Sequence, residues 1–316
     1  MFRDGNFNNE AGEKLNRPVF LALLNGAAQA QASEGEVCVM DVKDGSILSL
    51  AHLKEGTGKP GQLTFTVSRV TDSDFIHIET EDVRSYVEVH GITEIPFEAI
   101  VPAVSYLVYI QCGNQPESYI EWEDEKIPIK EAFVKGQYEI LTSALMKFFP
   151  NGIPELLGYL GKLGLLAIYE DRLPADIGEF KQSKFYVFYT ADWFSQIATD
   201  LVRLDSLSPN DDSAPSPVQA LRDILCQCGK DGFAKEASIS GYPFCGYTYV
   251  TAQDSDRNRQ ILLLGYTPAD APMYSIMVWL KRHEQIDDPV RGDWQELGVY
   301  AAEIGKKVIE IVTSEL

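Results

Sequence analysis

Two apolar runs near the C-terminus, Ile261–Leu264 and Tyr274–Leu280, constrain this chain more than any other feature. The turn-rich cluster Gly265–Pro272 lies between them, so the stretch Arg259–Glu284 reads as a β-hairpin. Almost every position in both runs is apolar. That pattern predicts strands covered on both faces, as in the middle of a sheet packed against helices. The aromatic and β-branched run Phe244–Val250 is suited to pair beside them. Val299, Ile304, Val308, Ile309 and Ile311 fall near helical spacing and predict a closing amphipathic helix on that sheet.

A second hairpin is expected near the start. Glu36–Val42 and Ser46–His52 are joined by Lys43, Asp44 and Gly45, and an Asp-Gly pair suits the positive φ of a tight turn. An Ala- and Leu-rich helix is expected before it, over Pro18–Gln31. Strands from both chain ends then form one antiparallel five-stranded sheet, with everything between them inserted. The insert opens with Lys54–Pro60, a Gly- and Lys-rich loop without the G-K-[ST] ending of a phosphate cradle. Short alternating runs at Leu63–Val70, Phe75–Glu79 and Tyr86–His90 predict a small exposed β insertion. Pro96–Cys112 is continuously apolar and predicts a buried central helix. Ile129–Leu166 and Asp192–Leu204 have helical period, Ser206–Ser216 is a surface loop, and Ser216 and Pro217 begin a helix through Cys226. The fold class is α+β. One domain spans 1–316, with the sheet and its flanking helices in 18–52 and 238–316, the β insertion in 54–95 and a helical lobe in 96–237.

Charge and cysteine content narrow the function. A net charge of −20 and a pI near 4.6 argue against nucleic acid as a partner. No window reaches the roughly 18 uninterrupted apolar residues of a membrane span, and Met1–Asn16 has no signal-peptide core. Cys38, Cys112, Cys226, Cys228 and Cys245 are odd in number and lack paired metal-ligand spacing, while His52, His77, His90 and His283 are scattered. Buried reduced thiols are therefore expected, with a disulfide or metal site as the alternative, and no cofactor. Free cysteines and the missing signal fit a cytoplasmic chain or a truncated one.

Four stretches carry a resemblance to a known family. Val37–Ala51 (V-C-V-M-D-V-K-D-G-S-I-L-S-L-A), Ser216–Gly232 (S-P-V-Q-A-L-R-D-I-L-C-Q-C-G-K-D-G), Gly265–Tyr274 (G-Y-T-P-A-D-A-P-M-Y) and Ala301–Ile311 occur in that order. Together they resemble the transpeptidase domain of penicillin-binding proteins, serine acyl-transferases that crosslink peptidoglycan and share a fold with serine β-lactamases. The resemblance implies three catalytic motifs. S-x-x-K would place a nucleophilic Ser beside a Lys on a helix. Its counterpart is Pro96–Pro102 (P-F-E-A-I-V-P), with Glu98 at the Ser position and Val101 at the Lys position. S-x-N would correspond to Val134, Lys135 and Gly136, anchored by Tyr138. K-T-G, on the strand that helps stabilise the oxyanion, would correspond to Phe244, Cys245 and Gly246, with Tyr247 next and crowding the groove. A carboxylate, isopropyl groups and a phenyl ring cannot perform that acyl transfer.

Two other nucleophiles are conceivable from the sequence. Cys245 would need a base to depress its pKa, and none adjoins it in sequence. Ser143 and Lys147 stand four apart on a helical stretch that matches the family downstream of its active site. The resemblance thus implies a pseudo-transpeptidase that binds or helps assemble something in the cell envelope: an envelope protein or a peptidoglycan fragment. Tyr119 and Trp122 in S-Y-I-E-W-E-D-E are candidate contact points. An active acyl-transferase or hydrolase with a relocated nucleophile, and a purely structural scaffold, are the alternatives.

Overall fold

The computed structural model describes residues 9–55, 63–67, 94–96, 99, 101–111, 114–115, 117–122, 125–138, 140–141, 184–186, 217–251, 256–283 and 294–316. Helix α1 spans Asn9–Gln29 and leads into β1 (Ala32–Asp41) and β2 (Ile47–Glu55). Strands β3 (Leu63–Val67) and β4 (Glu94–Pro96) precede helix α2 (Val101–Gln111). A hairpin of β5 (Tyr119–Trp122) and β6 (Glu125–Pro128) runs into the short helix α3 (Ile129–Val134). Strand β7 (Lys184–Tyr186) pairs with β4. Helix α4 (Pro217–Asp231) and a 3-10 turn (Phe233–Ala237) lead to β8 (Cys245–Val250), β9 (Asn258–Thr267) and β10 (Tyr274–His283). A second 3-10 turn (Trp294–Leu297) and helix α5 (Gly298–Glu315) close the chain.

The main sheet has the order β3-β2-β1-β10-β9-β8, antiparallel throughout. Five of its strands, β2, β1, β10, β9 and β8 from both chain ends, are the expected ones, and β1 meets β10 in the centre with Val37 opposite Val278. The strand read at Leu63–Val70 is β3, which pairs with β2 as a sixth strand of this sheet instead of standing in an appendage. The runs Phe75–Glu79 and Tyr86–His90 lie outside the described residues, as do Asp192–Leu204, Ser206–Ser216 and Leu145–Leu166.

Burial explains why these strands read as apolar runs. On one face Val37, Val39, Ala51, Leu53, Ile261, Leu263, Ile276, Val278 and Leu280 form a single core with α1 and α5. Helix α5 contributes Ala301, Ile304, Val308, Ile309 and Val312, each Ile and Val worth roughly 1.5–3 kcal/mol in transfer from water. Alternate residues on the other face, including Cys38, Leu262, Leu264, Met277 and Trp279, are buried as well. That double burial is what the missing polar alternation signalled.

Helix α1 starts nine residues before the expected Pro18, which lies inside it. The stripe Ala11, Leu15, Val19, Leu23, Ala27 continues at four-residue spacing through the proline and is buried along its length. Packing of that stripe outweighs the hydrogen bond that Pro18 cannot donate. In the first hairpin Gly45 alone takes positive φ, +73°, while Asp44 turns its carboxylate back onto the Ser46 amide at 2.8 Å.

Candidate functional site

Strand β8 ends the sheet order, and its side chains divide between two environments. Phe244 and Val250 join the core under α5, and the Thr248 side chain lies against Gly298 at the start of that helix. Cys245, Tyr247 and Tyr249 point to the opposite face, toward α3 and α4. Phe244 therefore does not enter the groove beside β8, whereas Tyr247 does.

Tyr247 is 1% exposed, and its hydroxyl donates to the Ala99 carbonyl at 2.7 Å, just ahead of α2. Its ring is met edge-on by Phe133 of α3 at 5.4 Å and by Tyr138 at 5.7 Å between centroids. Tyr138 stacks on Tyr249 at 5.4 Å, and Tyr106 of α2 meets Phe133 at 5.7 Å. Such pairs add roughly 0.5–1.5 kcal/mol each beyond the area they bury. The space between β8, α2 and α3 is thus filled by the protein's own aromatic rings.

The outer edge of β8 is occupied in the same manner. The Phe244 amide donates to Ser238 Oγ at 3.0 Å, and Tyr138 donates its hydroxyl to the Thr248 carbonyl at 2.8 Å. Gln295 clamps Val250 with both ends of its amide, accepting from the backbone N–H at 3.3 Å and donating to the C=O at 3.2 Å. An edge strand needs such partners, or it invites another strand to pair with it.

Val134 and Gly136 serve to end α3. The Gln137 amide bonds the Ala132 carbonyl at 2.8 Å and the Gly136 amide bonds that of Phe133 at 3.1 Å, the two bonds of a Schellman motif. Gly136 sits at φ +70°, which glycine adopts at no steric cost. Val134 is half-buried and is the last residue of the helix.

Cys245 is disulfide-bonded to Cys226 of α4, which corrects the expectation of reduced thiols throughout. In this form it has no thiolate to offer as a nucleophile. The pairing exists because α4 crosses close to β8: a side chain at Gly229 would overlap the Phe244 carbonyl. Cys38 and Cys228 are buried thiols outside any disulfide, and Cys112 lies outside the described residues. Burial, then the Asp231 carboxylate, holds the Cys228 thiol far above its ordinary pKa and so inert. Among the described residues no three His, Cys, Asp or Glu side chains are grouped to hold a metal ion.

Burial also pushes the phenols of Tyr138 and Tyr247 well above their ordinary pKa near 10, with Cys228 adding to both. Each keeps its proton in the folded chain at a pH where the unfolded chain has lost it. Stability is therefore complete below pH 10 and falls as pH rises from there, by about 1.4 kcal/mol per pH unit for each tyrosine. Urea titrations in this alkaline range should show a falling midpoint, and Tyr247→Phe should flatten the slope. An unchanged slope in that variant would remove Tyr247 from the account.

Solved structures share this arrangement of sheet and helices. The transpeptidase domain of the FtsI4 D,D-transpeptidase from Legionella pneumophila aligns over 99% of this chain and 100% of its own, with TM-score 0.62 and 13% identity. The transpeptidase domain of Burkholderia pseudomallei penicillin-binding protein 3 aligns over 99% and 97%, with TM-score 0.61 and 13% identity. The fold is that of a penicillin-binding-protein transpeptidase domain. No family model matches the sequence, and no curated protein matches it closely enough to count as a relative.

Within this transpeptidase fold, the stretch read as the S-x-x-K counterpart leads into α2. Val101 is its first residue, Glu98 lies outside the described residues, and Ala99 between them accepts the Tyr247 hydrogen bond. Ser143 and Lys147 also lie outside the described residues. Gly246 is buried, and a Cβ there would press on Gly265 of β9. The sequence reading has Tyr247 crowding the groove but misses its ring partner Phe133, the further rings Tyr106 and Tyr249 that pack on Phe133 and Tyr138, and also Gln295. The alternation of Tyr247 with Tyr249 was a readable sign of an aromatic strand face. Nothing in the sequence marks Gln295 as a clamp.

Proposed function

We propose that this chain is a catalytically inactive member of the transpeptidase fold, serving as a binding or assembly module of the cell envelope. The observation that carries the reading is Tyr247, whose ring and hydroxyl occupy the space between β8 and the residues leading into α2. A transpeptidase needs that space for an acylated serine and the oxyanion formed on attack. The replacements at Glu98, Val101, Val134, Gly136, Phe244 and Cys245, with Gly246 alone kept, support the same conclusion. The Cys226–Cys245 disulfide supports a location outside the reducing cytosol, where such bonds persist. The partner would be an envelope protein or a peptidoglycan fragment.

Incubation with a large excess of a reactive penicillin, followed by intact-mass measurement, tests the loss of chemistry. No mass gain is expected from protein shown by circular dichroism to be folded. A covalent adduct mapped to one Ser or Cys would overturn this reading in favour of an acyl-transferase with a relocated nucleophile. The filled groove equally supports a scaffold that binds no ligand. Calorimetric titration with a soluble cell-wall peptide separates the two: saturable heat favours the binding module, and its absence together with no adduct leaves the scaffold or a protein partner.

A further inference from the structure

Three features meet where α4 crosses β8. The disulfide joins Cys226, which is partly exposed, to Cys245, which is fully buried. Gly229, three residues further along α4, touches the β8 backbone so closely that no side chain fits. Cys228, between them in sequence, is buried and stands near enough to the phenols of Tyr106, Tyr138 and Tyr247 to oppose the ionisation of each. Two thiols need more room than one disulfide, and neither Gly229 nor the packed rings leave slack to provide it.

We propose that the Cys226–Cys245 disulfide is a redox latch: oxidised, it holds α4 against β8 over the closed tyrosine cluster, and its reduction by a dithiol loosens that cluster locally. A thiolate of the dithiol attacks the Sγ of Cys226, the more exposed residue of the pair. The Cys226–Cys245 bond breaks, a mixed disulfide forms on Cys226, and Cys245 departs as a thiolate and takes up a proton. The second thiol of the dithiol then attacks the reagent sulfur of the mixed disulfide and releases Cys226 as a thiol. Two electrons and two protons pass to the protein, and the dithiol becomes a disulfide. The tie that breaks spans 19 positions of sequence and is the covalent link between α4 and the strand bearing Tyr247.

Cys228 reports opening at the cluster, and Cys38, buried on β1 three strands away, reports general loosening. The full chain would be alkylated with iodoacetamide before and after treatment with dithiothreitol, and each cysteine followed by peptide mass. Reduction should raise the Cys228 rate by about tenfold or more while Cys38 stays protected, as expected for a local opening. Cys226→Ser should give the fast Cys228 rate without reductant, and if that variant does not fold, the reduced native chain still decides. An unchanged Cys228 rate after complete reduction would overturn the latch, and so would Cys38 rising in step with Cys228. The readout is thiol reactivity alone, so its failure is distinguishable from acylation by penicillin or binding of a cell-wall peptide.

Discussion

Tyr247→Ala should lower the stability of the folded chain by about 4 kcal/mol, the range found when a buried aromatic side chain is truncated. The ring is almost fully buried and holds the edge contacts with Phe133 and Tyr138, and its hydroxyl satisfies the Ala99 carbonyl. Truncation removes all of these and leaves a cavity between β8 and α2. Tyr247→Phe keeps the ring and should cost only about 1 kcal/mol, from the unpaired carbonyl. Urea unfolding of both variants gives the comparison directly. If the alanine variant were as stable as the native chain, the groove would have to be filled by something other than this residue.

Gly229→Ala should be nearly as harmful, at roughly 3 kcal/mol, because the added methyl has nowhere to go. It would lie within 2.8 Å of the Phe244 carbonyl carbon and closer still to its oxygen, and backbone on the neighbouring strand cannot swing aside as a flexible side chain can. Helix α4 would have to lift from β8, against the Cys226–Cys245 disulfide and the Arg222 contact to the Ala269 carbonyl at 3.3 Å. Helix propensity favours alanine over glycine by about 1 kcal/mol, so a stabilised variant in a thermal melt would mean that α4 stands further from the strand.

Both substitutions probe contacts whose partners are remote in the chain, and that separates the legible from the illegible here. The hairpin of β9 and β10 was readable because turn residues and apolar runs are local signals, and continuous rather than alternating hydrophobicity marks strands buried on two faces. Helix α5 was readable from its spacing. Helix α1 was readable only in part, since Pro18 looks like a boundary until the stripe from Ala11 to Leu15 is seen to continue through it. The strand at Leu63–Val67 was found, but its place beside β2 was not, because strand periodicity says nothing about which neighbour a strand pairs with.

The site was less legible than the fold. Tyr247 was recognised as crowding the groove because, after Phe244, Cys245 and Gly246, it stands at the Thr that follows K-T-G in the family pattern. Its bond to Ala99 spans 148 positions, and the bond of Tyr138 to Thr248 spans 110. Cys226 and Cys245 looked like two more thiols of an odd set, since nothing in a list of residues says that a helix at Cys226 crosses a strand at Cys245. By itself, then, the sequence determined the elements, their faces and the absence of an S-x-x-K stretch, all properties of residues a few positions apart. Only the tertiary structure decided that the groove is filled, the edge of β8 clamped and one cysteine pair joined. Those depend on which distant segments the sheet brings together, and many sequences with the same local pattern would bring together others.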